Sequence, residues 1–114
     1  MNTKQILKTT LPLLLLITIL FAFKKKDPSV LVFSKTGAFR HGSIPYGIKA
    51  IKQLGEENHF LVDATEDSLA FTTENLSKYK TVIFLCTTGN VLGEEQQKVL
   101  ENYIQIASSG RVRR

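Results

Sequence analysis

Beyond the first two dozen residues, short apolar runs alternate with stretches in which apolar residues recur at helical spacing. Residues 30–33 (VLVF) form an unbroken apolar run, the pattern of a strand buried on both faces. After a polar loop, Ile44, Ile48, Ile51 and Leu54 mark the inner face of a helix, with Lys49, Lys52, Glu56 and Glu57 turned to water. Ser43 stands where an N-cap is wanted, Pro45 suits the first turn, and Asn58 ends the helix. A second, alternating strand is predicted over 60–64, and Thr72 caps a short helical turn reaching Leu76. Residues 81–86 (TVIFLC) predict a third buried strand. Gly93 then opens a helix whose inner stripe is Val99, Leu100, Tyr103, Ile104 and Ala107.

Apolar strands joined by helical crossovers predict an α/β fold with a doubly wound parallel sheet, strand one lying between strands two and three. This order has a chemical consequence. The loops at 35–43 and 87–93 leave the sheet side by side at its C-terminal edge, where such sheets bind ligands. The segment Thr65-Glu66-Asp67 emerges beside them.

The N-terminal segment belongs to a different device. Lys4 and Lys8 precede an uncharged run at 9–23, followed by Lys24, Lys25 and Lys26. Its length suits a signal peptide, which would be cleaved, or a short membrane anchor spanning from Leu11 to Phe23, which would not. Lysines at both ends and the lack of a small-x-small cleavage site favour the anchor; no cysteine follows to carry a lipid. Either way the expectation is a body exported or anchored on the outer side of the membrane, with residues 1–26 as the targeting unit and 27–114 as one domain.

Charge narrows the partners. The net charge is +5, but the excess cations flank the apolar run or close the chain. All ten acidic residues lie within 27–110, against seven bases there, and no basic stripe interleaves with aromatics. A nucleic-acid partner is therefore not expected. The single Cys86 has no intramolecular disulfide partner, and two histidines with one cysteine at unrelated spacing make no metal constellation.

Candidate chemistry concentrates in the first loop, where Ser34, Lys35, Thr36, Arg40, His41 and Ser43 accompany Gly37 and Gly42. Lys35 and Thr36 could cradle an anion at a helix N-terminus, although no phosphate-loop glycine pattern is present. Arg40 suits either clamping a ligand or pairing with Glu66 or Asp67, and the pairing is favoured. His41 suits ligand binding or loop bracing equally. Thr87, Thr88 and Gly89 could hydrogen-bond a polar ligand or simply form a turn. Cys86 lacks the flanking glycines of a nucleophile elbow and reads as a buried strand-end residue. Adjacent Glu66 and Asp67 point different ways and form no acid/base pair, and His59 marks a helix-to-strand turn. A flavin carrier of flavodoxin-like topology would need an aromatic residue in the loop after strand three, and Thr87-Thr-Gly-Asn-Val has none.

The stretches VLVFSKTGAFRHGSIPYGIKAIKQLG and FLVDATEDSLAFTTENLSKYKTVIFLCTTGNVLGEEQQKVLENYI together resemble the start of a trehalose-utilisation (ThuA-like) domain, over about residues 30–104. The F-R-H-x-S-I loop, the A-T-E-D segment and the T-T-G loop stand in that family's order. The resemblance implies a three-layer sandwich similar to class I glutamine amidotransferases and a role in carbohydrate metabolism; no cofactor is expected. The candidate ligand-binding residues of this edge are Thr36, Arg40, His41, Thr87 and Thr88, and catalytic residues stay unassigned. The family pattern continues into a glycine-rich turn, a buried strand and a G-I-H-A segment, where this chain reads QIASSGRVRR. The expectation is a copy truncated after about residue 104, with strand three at an open edge. Three readings follow: a carbohydrate-processing protein, a non-catalytic small-ligand-binding module of the same fold, or an inert fragment.

Overall fold

The computed structural model describes residues 25–109. Three parallel strands, β1 (Ser29–Phe33), β2 (Leu61–Thr65) and β3 (Thr81–Phe84), form a sheet in the order β2-β1-β3. β1 is central, as its apolar run predicts: Leu31, Val32 and Phe33 are all buried. In register, Val30 pairs with Val62 on one side and with Thr81 on the other. Helix α1 (Ile44–Asn58) makes the β1–β2 crossover. A 3-10 turn (Ser68–Ala70) and the short α2 (Thr73–Leu76) make the second crossover, and α3 (Glu94–Ser108) follows β3.

Strand alternation divides the core between the two faces. Leu31 and Phe33 join Phe71, Leu76 and Leu92, with Tyr79, Val82, Val91, Val99, Leu100 and Tyr103 packed around them. The opposite face carries Val32 and lies under α1, whose Gly55 approaches Val62 and whose Gly47 approaches Leu85. Asp67 caps the 3-10 turn by accepting the Leu69 amide, and Thr72 caps α2 by accepting the Asn75 amide.

Several local expectations are corrected. Leu54 is 51 % exposed, and buried Gly55 takes its place on the inner line of α1. At about 100° per residue, Ile44, Ile48, Ile51 and Gly55 share one line and Leu54 falls well off it. On α3 the inner stripe narrows to Val99, Leu100 and Tyr103, while Ile104 and Ala107 are exposed. β2 is shifted by one residue from 60–64 because the Phe60 amide turns back to the Gly55 carbonyl (3.0 Å) rather than entering the ladder. Ser43 does not cap α1 with its side chain. Its own dihedrals are already helical (φ −75°, ψ −13°), and Pro45 offers no amide to accept. β3 stops at Phe84, so Cys86 lies beyond the strand, half-buried, in the left-handed region at φ 51°. His59 sits at the helix-to-strand turn as expected, also left-handed (φ 58°).

Tyr79 and Tyr103 tie the Leu31 and Phe33 face together at the N-terminal end of β3. The Tyr103 hydroxyl donates to the Tyr79 carbonyl (3.1 Å), and the Tyr79 hydroxyl donates to Asp63 Oδ2 (2.9 Å). Burial pushes both phenols above their ordinary value of 10.0, and for Tyr79 the hydrogen bond to Asp63 and that carboxylate's charge push the same way. The folded state thus holds these protons more tightly than the unfolded chain. The resulting stabilisation is complete below pH 10 and is lost as pH rises through the raised folded values. Melting temperatures recorded from pH 8 to pH 12 should fall above about pH 10. A Tyr103→Phe, Tyr79→Phe double variant should show a shallower fall over that range, and an unchanged slope would refute this assignment.

Candidate functional site at the C-terminal edge of the sheet

The loops after β1 and β3 are bonded to each other. Thr36 and Thr88 form an isolated parallel bridge, the Gly37 amide donates to the Thr88 carbonyl at 2.6 Å, and the Thr88 hydroxyl donates to the Phe39 carbonyl at 2.7 Å. Gly37 suits this close approach: a Cβ there would stand 3.2 Å from the Asn90 carbonyl oxygen and 3.3 Å from that of Thr88, pressing the two loops slightly apart. Gly89, at φ 74°, reverses the second loop against the first. Two of the candidate site residues, Thr36 and Thr88, are therefore the lacing of the edge, and Thr88's donor is committed to backbone.

The loop after β2 joins from the other side. Arg40 Nη1 contacts Glu66 Oε1 at 2.6 Å, with both side chains about half exposed (50% and 48%). This is one of the two pairings the sequence offered. An exposed pair of this kind adds little stability, about 0–1 kcal/mol, but it sets the guanidinium against the Glu66 carboxylate. Lys35 Nζ donates to Ser68 Oγ (2.9 Å), and Thr65 Oγ1 accepts the Asp67 amide (3.0 Å). His41 is exposed, and its ring meets that of Phe39 edge to face at 4.9 Å and 86°. Thr87 is half-buried between Cys86 and Thr88.

Three features of this edge had little or no signal in the sequence. Phe39 is 70% exposed although its backbone is pinned by Thr88. Its neighbourhood in the F-R-H run was the available cue. Ser43 Oγ, freed from capping, lies 4.0 Å from Cys86 Sγ. Ser34, at the end of β1, is 1% exposed and its hydroxyl has no hydrogen-bond partner in the structure. Among the described residues, no group of three or more His, Cys, Asp or Glu is placed to hold a metal ion.

A three-stranded parallel sheet, its crossovers placing three polar loops on one edge, defines the class: a parallel α/β domain, consistent with a flavodoxin-like fold. The family follows from comparison with known proteins. Residues 29–109 match the model of the ThuA (trehalose utilisation) family, and the chain belongs to that family. No curated protein and no solved structure matches the chain. Among the described residues, no helix is long and apolar enough to cross a membrane. The proposed anchor or signal segment at 9–23 and the tail at 110–114 lie outside the described residues.

Proposed function

We propose that this chain binds a sugar of the trehalose type at the C-terminal edge of its sheet, in a carbohydrate-metabolic role at the cell envelope. The observation that carries the reading is the lacing of Thr36 and Gly37 to Thr88, which turns two loops into one surface with Arg40 and His41 on it. Parallel α/β sheets place ligands at this edge, and the family's description supplies the sugar. Thr36, Thr87 and Thr88 shape the floor, and Arg40 and His41 supply the donors. The apolar run at 9–23 would deliver or tether the domain as a signal peptide or an anchor.

We further propose that the described sheet is the opening part of a larger sandwich of the glutamine-amidotransferase kind. In support, β3 has a single neighbour among the described strands and its Phe84 is 41% exposed, while Ile104 and Ile106 on α3 are 54% and 44% exposed.

A ligand that binds only the folded state raises the melting temperature with its concentration. The full chain should melt at rising temperature as trehalose is added at millimolar levels. His41→Ala should require several-fold more sugar for the same rise. A melting temperature indifferent to trehalose and to its constituent monosaccharide would remove the proposal.

A further inference from the structure

We infer that the gripping element of this edge is the exposed ring of Phe39, and that it takes the apolar C–H face of an uncharged pyranose. The inference rests on the sugar-binding reading and narrows it in two respects, the ligand's charge and the side chain that holds it.

Phe39 is 70% exposed, yet little about it is loose. Thr88 holds its carbonyl at 2.7 Å, and the edge-to-face contact with His41 backs the ring at 4.9 Å. A large aromatic on an anchored backbone, left facing water, is ready to bury apolar area on a ligand with little backbone ordering. A pyranose presents such a face, with hydroxyls projecting around its rim.

The neighbouring charges select against an anion. Arg40, the cation adjacent in sequence, is already paired with Glu66 at 2.6 Å, and Lys35 is turned to Ser68. A phosphate or carboxylate drawn to the remaining N–H groups of Arg40 would also lie near the Glu66 carboxylate, which repels it. A neutral hydroxyl accepts from the guanidinium and donates to the carboxylate with the pair intact. The edge is thus suited to a neutral polyol.

The test uses the full chain, with trehalose and trehalose 6-phosphate as probes, and measures affinity by calorimetry and saturation transfer from aromatic protons to sugar C–H protons by NMR. Phe39→Ala should weaken trehalose binding about tenfold and abolish the transfer, while Phe39→Trp retains both. Tyr46 is an internal control. It is 76% exposed but lies about 200° around α1 from buried Ile44, so Tyr46→Ala should change affinity less than about twofold. The phosphorylated sugar should bind no more tightly than trehalose.

Trehalose binding that is equal in Phe39→Ala but weakened in His41→Ala would overturn the stacking role and leave the sugar site standing. Loss of binding in both Phe39→Ala and Phe39→Trp, with unchanged melting, would also overturn it. Tighter binding of the phosphorylated sugar would overturn the neutral-ligand assignment. A chain that binds neither sugar would remove the site and this inference together.

Discussion

Replacing Phe33 with alanine is expected to remove most of the stability of the domain. Phe33 is fully buried in the central strand, and its ring meets Phe71 at 4.7 Å and Phe84 at 5.6 Å, both edge to face. Truncating a buried phenylalanine costs about 3–5 kcal/mol, through lost transfer energy and the cavity left behind. Ordinary domains hold about 5–15 kcal/mol in total. Here the buried hydrophobic set among the described residues is only Leu31, Val32, Phe33, Ile44, Phe71, Leu76 and Leu92. The neighbours cannot close the gap readily, because Leu31 and Phe33 belong to a strand paired on both sides. Urea titration followed by circular dichroism should show a broad, early transition for Phe33→Ala and an intermediate one for Phe33→Leu. A Phe33→Ala midpoint close to wild type would mean the three rings are not the centre of the core.

The second large effect is at Gly55. It is the last residue of α1's buried line, and a Cβ there would stand 2.6 Å from the Phe60 carbonyl oxygen and 2.9 Å from Val62 Cγ2. The nearer obstacle is backbone, and it is pinned: Phe60 donates to the Gly55 carbonyl and Leu61 donates to that of Pro28 at 2.8 Å. Alanine would gain about 0.5–1 kcal/mol of helix preference over glycine. Lifting the helix off β2 outweighs that gain, since overpacking costs typically about 1–3 kcal/mol. Gly55→Ala should therefore be clearly less stable than wild type. Gly47→Ala offers the contrast, because its nearest obstacles at 3.1 and 3.2 Å are the terminal methyls of Leu85, which can swing aside. Equal midpoints for the two variants would contradict this account.

The sheet was legible because its signals are local and strong. An apolar run at 30–33 with long polar and amphipathic connections on its C-terminal side admits few topologies, and the observed order β2-β1-β3 is the expected one. Errors fell where a tertiary contact overrides a local preference. Ser43 has a capping residue's chemistry, but its hydroxyl faces Cys86 instead. Leu54 looks like a core residue until Gly55 is seen against Val62. The candidate edge was legible as a collection of loops. Its internal wiring was not, because the Thr88–Phe39 bond joins residues 49 apart and leaves no periodicity to find. Nor does any glycine or asparagine announce the left-handed backbone at Cys86.

The all-parallel register also governs how this chain can be made. β1 is the earliest strand to leave the ribosome, yet its partners lie far downstream: Ser29 waits for Leu61, and Val30 for Thr81. No hairpin can satisfy it in the meantime, because each neighbour must first complete a crossover. Contacts of such long sequence separation slow folding, since loop closure is opposed by entropy before any pairing repays it. The most apolar strand of the sheet therefore spends synthesis unpaired, and until β3 has emerged it is available to a chaperone or to another nascent copy.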